Sequence, residues 1–166
     1  MHFIDGIRSA TFFDDNPIRP AIHQLKYNNH RAIVSTLSQI LADTYQQLDL
    51  VATVLVPVPL HTSRFKERGY NQSELLADGL KSVLNVPVDA NMVQRTRPTQ
   101  TQMSLGVDER RRNVADAFSS SEASLADYNV LLIDDVCTTG ATLDACAAVL
   151  KQKGVASVWG LTIARA

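Results

Sequence analysis

Hydrophobic positions along this chain follow two kinds of pattern. Ile18, Ala21, Ile22 and Leu25 recur at helical spacing behind Asn16-Pro17, a pair suited to the cap and first turn of a helix. The same spacing returns from His30 to Gln47, with Ile33, Val34, Leu37, Ile40 and Leu41 on one face. It returns again from Ser73 to Leu84, with Leu75, Leu76, Leu80, Val83 and Leu84. Between these helices stand short runs that are apolar nearly throughout. Thr53 to Val58 is one, and Pro57 and Pro59 mark its end because proline cannot donate to a central ladder. Val130 to Ile133 and Val155 to Ile163 are others. Ala10 to Phe13 reads as a short edge strand, and Val86 to Val88, Val93 to Arg97 and Ala117-Phe118 as shorter pieces. A helix after Val130–Ile133 carries Leu143, Cys146, Ala147 and Leu150 inward and stops at Gly154. Apolar strands alternating with amphipathic helices predict an α/β fold whose parallel sheet is covered on both faces.

One stretch has no such period. Pro98 to Leu105 is rich in Thr and Gln and predicts a functional loop, followed by a helical turn over Asp108 to Val114. A length of 166 residues suits one domain, and 45% apolar with 20% charged residues suits a globular chain, not a disordered one. The net charge of −1 supplies no global field for nucleic acid or membrane. Positive charge is local instead. Arginines crowd Arg95 to Arg112, Arg64, Lys66 and Arg68 surround Glu67, and Ile18 to Arg31 carries cations without a carboxylate. Cys137 and Cys146 lie in one local element and form no Cys-x-x-Cys pair, which argues against a disulfide framework or a zinc ribbon. No apolar run approaches the ~20 residues of a membrane span. Asp5 and Arg8 interrupt any signal-peptide pattern, so a cytoplasmic location is expected.

The chemistry concentrates after Val130–Ile133. Asp134 and Asp135 come next, and then Cys137-Thr138-Thr139-Gly140-Ala141-Thr142 runs straight into a helix. Open α/β sheets bind ligands beyond the carboxyl ends of their strands. A loop feeding a helix N-terminus offers backbone N–H groups to an anion. Ionised carboxylates only accept hydrogen bonds, and two adjacent ones repel, so a cation or a polyhydroxyl partner is expected. A receiver-type phosphoacceptor site would place its acidic pair early in the chain and a lysine late. A dehalogenase-type phosphatase needs Asp-x-Asp, and a P-loop needs Gly-Lys-[Ser/Thr]; neither is present. A phosphate site beside a sugar or metal site suggests a sugar phosphate; the plain alternative is an acidic pair that caps the next helix. Cys137 reads as a small filler, and Cys146 as core.

The run Val130 to Thr142 closely resembles the phosphoribosyl-diphosphate (PRPP) motif of type I phosphoribosyltransferases: four apolar residues, two acids, two further residues, then Thr-Gly-x-Thr. Val56-Pro57-Val58-Pro59-Leu60-His61 with the basic segment Arg64 to Gln72 resembles the ComF family of competence proteins within that superfamily. Arg95-x-Arg97-x-Thr99-x-x-Gln102-x-x-Leu105, Arg110-x-x-Asn113 and Ala117-Phe118 resemble it too, as does Ile22-His23-Gln24-Leu25-Lys26-Tyr27. These matches span nearly the whole chain, from Asn16 to Arg165.

The resemblance implies the type I phosphoribosyltransferase fold, with residues 1–50 as a small N-terminal hood and leading helices and residues 51–166 as the core. It implies that Asp134 and Asp135 hold the ribose hydroxyls, one of them through hydrated Mg²⁺. Thr138, Thr139, Gly140, Ala141 and Thr142 would cradle the 5′-phosphate. Backbone N–H groups of Leu60 and His61, with the charges of Arg64, Lys66 and Arg68, would meet pyrophosphate. Arg97, Gln102 and Arg110 would sit on a lid over the reacting centre. His23 is expected to pack, not to catalyse. The family commonly carries a cysteine-rich zinc module before this domain; nothing in these residues matches it, so its function does not carry over. The implied activity is transfer of ribose 5-phosphate from PRPP to a nitrogen nucleophile with release of pyrophosphate. The rival class is a non-catalytic module that binds a nucleotide or single-stranded DNA, or a protein of the competence machinery. Only Tyr27, Phe65 and Tyr70 stand near the basic clusters for base stacking.

Overall fold

The apolar runs form the strands of one parallel sheet. The computed structural model describes residues 2–14, 17–27, 31–96, 117–120 and 124–166. The expected cap at Asn16, the helix start at His30, the loop from Pro98 to Leu105 and the turn from Asp108 to Val114 lie outside these residues. In chain order the elements are β1 (Gly6–Phe12), α1 (Ile18–Tyr27), α2 (Arg31–Gln46), β2 (Val54–Pro57), α3 (Thr62–Arg68) and α4 (Gln72–Leu84). They continue with β3 (Gln94–Arg95), β4 (Phe118–Ser119), β5 (Asn129–Cys137), α5 (Ala141–Gln152) and β6 (Ser157–Arg165). The main sheet runs β1-β6-β5-β2, all parallel, and β3 pairs antiparallel with β4 in a separate two-stranded sheet.

The continuous apolar strands are explained by burial on both faces. Val54, Val56, Val130, Leu132 and Val158 point into one core layer with Leu143, Cys146, Ala147 and Leu150 of α5. Leu55, Leu131, Ile133, Leu161 and Ile163 point into the other, against Ile22 and Leu25 of α1, Leu37 and Leu41 of α2, and Leu76 and Leu80 of α4. The period of two along each strand therefore splits between two layers, not between core and solvent. Among the described residues no helix is long and apolar enough to cross a membrane.

The structure departs from the sequence expectations in four places. β1 starts at Gly6 and pairs with β6 over its whole length, so it is longer than Ala10 to Phe13. Its start carries no apolar run; it is held by the ladder, and a side chain at Gly6 would sit 2.3 Å from the Trp159 ring. β5 does not stop at Ile133. It continues through Asp134 and Asp135 to Cys137, still paired with β6, whereas β2 ends opposite Ile133. The basic segment after His61 forms α3, a short helix with no buried residue. Val88 makes only an isolated bridge to Leu55. Gly154 ends α5 as expected, at φ +90°, with Gly154 N–H donating to Lys151 O and Val155 N–H to Leu150 O.

Candidate functional site

The early end of β2 creates the cleft. Val58 N–H still donates to Ile133 O at 2.9 Å, and the chain then leaves the sheet at Pro59. Beyond that point β5 has no strand neighbour on the β2 side among the described residues, and Asp134 and Asp135 occupy that stretch. The expected ribose residues and the expected pyrophosphate segment thus lie side by side at adjacent strand ends. Asn71 fixes the return. Its Oδ1 accepts from Ser73 N–H at 3.0 Å as the cap of α4, while its Nδ2 donates to Val58 O at 3.0 Å.

Each carboxylate is tied in place. Asp134 Oδ1 accepts from the Ser73 hydroxyl and from Asp135 N–H, both at 2.9 Å. Asp135 Oδ1 accepts from Val136 N–H at 2.9 Å. Asp135 is buried, and Lys26 Nζ of α1 stands 2.8 Å from its Oδ2. Burial, and then the neighbouring Asp135 charge, push the Asp134 carboxyl up to about 7; the Asp135 N–H, the Ser73 hydroxyl and Lys26 pull against them. Burial works against the charge on Lys26, but Asp135, with Asp134 behind it, outweighs burial and holds the ammonium above the usual lysine range.

The loop to α5 is built for close approach. Gly140 is the N-cap at φ +77°, supplies no side-chain cap, and lies where a Cβ would come within 2.9 Å of Ile7 Cδ1. The first turn of α5 is thereby left without an acceptor from its own N-cap, which suits an incoming anion. Thr139 Oγ1 accepts from Ala141 N–H at 3.3 Å, a long bond that a phosphate oxygen could replace. Thr138 and Thr142 flank this turn and are partly exposed. Burial raises the Cys137 thiol above its ordinary range, with Arg165 opposing and Asp134 adding to it, which favours a buried filler over a reactive thiolate.

The basic segment divides its work. His61 caps α3, its Nδ1 accepting from Ser63 N–H at 3.2 Å. Leu60 and Lys66 line an open cavity of about 220 Å³ together with Pro59, Phe65, Asn71 and Glu74. Arg64 pairs with Glu67 at 3.0 Å on the solvent side of α3. Arg68 turns away, donating to Gln72 Oε1 at 2.5 Å and lying over the Tyr27 ring. His23 is exposed, with its ring 4.7 Å from the Tyr27 ring. Arg97, Gln102 and Arg110 lie outside the described residues. Sequence reasoning missed Lys26 and Ser73 as partners of the acidic pair; Lys26 lies within, and Ser73 just after, a segment that resembles the family, but neither role has a local signal.

Residues 23–165 match the phosphoribosyl transferase domain family. The chain belongs to that family. Within it, the chain is a ComF-type member. It is 37% identical to competence protein F of Haemophilus influenzae over 87% of this chain and 67% of that protein. It is 38% identical to the DNA utilization protein YhgH of Escherichia coli, over 86% and 64%. To competence protein ComFC of Bacillus subtilis it is 30% identical, over 95% and 63%. The chain thus spans about two thirds of the length of these relatives. Its fold is that of type I phosphoribosyltransferases. It superposes on glutamine PRPP amidotransferase of B. subtilis with a TM-score of 0.54 at 17% identity, covering 84% of this chain and 30% of that one. With adenine phosphoribosyltransferase of Trypanosoma brucei the TM-score is 0.50 at 16% identity, covering 89% and 68%.

The donor set limits what metal the domain could hold. Among the described residues no group of three or more His, Cys, Asp or Glu side chains converges. Two carboxylates suit a hydrated Mg²⁺ shared with ligand oxygens, which keeps several waters and needs no protein cage.

Proposed function

We propose that this domain binds PRPP with Mg²⁺ beyond the carboxyl ends of β2 and β5 and transfers its ribose 5-phosphate group to a nitrogen nucleophile. The observation that carries the reading is the strand-end geometry. It sets an acidic pair and a glycine-capped helix start at the end of β5, next to the end of β2, after which Leu60 and Lys66 line a separate open cavity. In this reading the first turn of α5, with Thr138 to Thr142, binds the 5′-phosphate. Asp134 and Asp135 accept hydrogen bonds from the ribose hydroxyls and orient C1 toward the cavity. Leu60 and His61 offer backbone N–H groups to the pyrophosphate, and Lys66 adds charge where the leaving group develops it. Bound Mg²⁺ would supply further neutralisation of that leaving group. Arg97, Gln102 and Arg110 would close over the site and exclude water. The chemistry then leans on positioning and needs no dedicated general base.

Calorimetric titration with PRPP, with and without Mg²⁺, tests the reading. The parent should bind only with the metal present, and Asp134→Ala/Asp135→Ala should abolish binding. No binding by the parent would overturn it. A second reading has support in the names of the relatives and in exposed Phe65 beside Lys66: a non-catalytic module that binds nucleotide or single-stranded DNA during DNA uptake. Metal-dependent PRPP binding without pyrophosphate release across a panel of bases favours that reading. So does DNA affinity that falls steeply with salt.

A further inference from the structure

We propose that Lys26 is a tethered counter-ion that closes the acidic pair to divalent cations until a ligand draws it away; this deepens the PRPP reading above and rests on it. The four carboxylate oxygens are unequal. Asp134 Oδ1 already accepts two hydrogen bonds, and Asp135 Oδ1 accepts one. Asp135 Oδ2 is buried and has no hydrogen-bonding partner besides the Lys26 ammonium 2.8 Å away. Asp134 Oδ2 accepts no hydrogen bond from the described residues. A hydrated cation or a ribose diol that engages Asp135 through Oδ2 must therefore take the place Lys26 holds. Such an exchange keeps the buried Asp135 charge compensated throughout, whereas loss of Lys26 without replacement would strand it.

Lys26 is also suited to leave. It belongs to α1, not to the sheet, and its side chain is 28% exposed against 6% for Asp135. The end of α1 that carries it is held by the segment between α3 and α4: the Tyr70 hydroxyl donates to Leu25 O at 2.6 Å, and Arg68 lies over Tyr27.

Mn²⁺ titration of the ligand-free protein, read by water-proton relaxation, separates the cases. Lys26→Met should bind Mn²⁺ about tenfold or more tightly than the parent, within the usual range of coupling between competing sites. Lys26→Arg, whose guanidinium can grip the carboxylate at two points, should bind it no better than the parent. Lys26→Gln substitutes for the Met variant if thermal melting shows that variant unfolded. With PRPP present, Lys26→Met should reach half-saturation at correspondingly lower Mg²⁺. Unchanged Mn²⁺ affinity in Lys26→Met, or equal weakening in the Met and Arg variants, would overturn the gate while leaving the PRPP reading standing. Failure of the parent to bind PRPP would overturn the reading beneath it, and the Mn²⁺ titration would still decide what Lys26 does.

Discussion

Asp134→Asn should make the domain more stable at pH 8 while abolishing its ligand binding. The Asp134 carboxyl is raised from 3.8 to about 7, chiefly by burial and next by the Asp135 charge. An acid whose pKa is higher in the folded state binds its proton more tightly there than in the unfolded chain. Its contribution is therefore favourable at low pH and is lost as the pH rises from about 4 to about 7, then stays flat. At 1.36 kcal/mol per pKa unit, ionising this group in the folded state costs about 4 kcal/mol. Asp134 keeps part of its surface in the cleft and shares its titration with a neighbour, so about 2 kcal/mol is the realistic magnitude. Asparagine keeps the acceptor for Ser73 and for the Asp135 N–H but carries no charge. Urea unfolding at pH 5 and pH 8 gives the answer directly. The Asn variant should gain about 2 kcal/mol relative to the parent on going from pH 5 to pH 8, at an unchanged m-value. An equal difference from the parent at both pH values would refute the electrostatic argument.

Three further substitutions probe the same site. Asn71→Ala removes the α4 cap and leaves Val58 O without its side-chain donor; a loss of about 2–4 kcal/mol is expected in denaturant unfolding. Gly140→Ala forces a side chain into the left-handed region at φ +77°, at a cost of about 1–2 kcal/mol. It should also weaken ribose 5-phosphate binding, measured by calorimetry, more than it weakens pyrophosphate binding. Ser73→Ala deletes one hydrogen bond to Asp134 and should lower PRPP affinity by about tenfold, with the fold intact by circular dichroism.

The covered parallel sheet was legible because its signal is local: runs such as Val130 to Ile133 are apolar at every position, which only burial on both faces explains. The loop into α5 was legible for a related reason, since Gly140 and its flanking hydroxyls stand in unbroken order after the strand. The limits of β5 were not legible. Its apolar pattern stops at Ile133, yet the ladder with β6 runs on to Cys137, and only the early end of β2 opens the cleft there. α3 has no apolar face for a periodicity to find, and its cap is a histidine, outside the usual cap residues. Lys26 and Ser73 were out of reach for another reason. Each meets the acidic pair from a distant segment, and only the packing of α1 and α4 beside β5 brings them there.

The central claim is that one ligand spans two sites built from separate strand ends. Amide chemical-shift mapping of the ¹⁵N-labelled protein tests it most directly, with ribose 5-phosphate, pyrophosphate and PRPP added in turn with Mg²⁺. Ribose 5-phosphate should move Thr138 to Thr142, pyrophosphate should move Leu60 and His61, and PRPP should move both sets at lower concentration than either fragment. Shifts confined to one set with PRPP, or absent from both, would contradict the account.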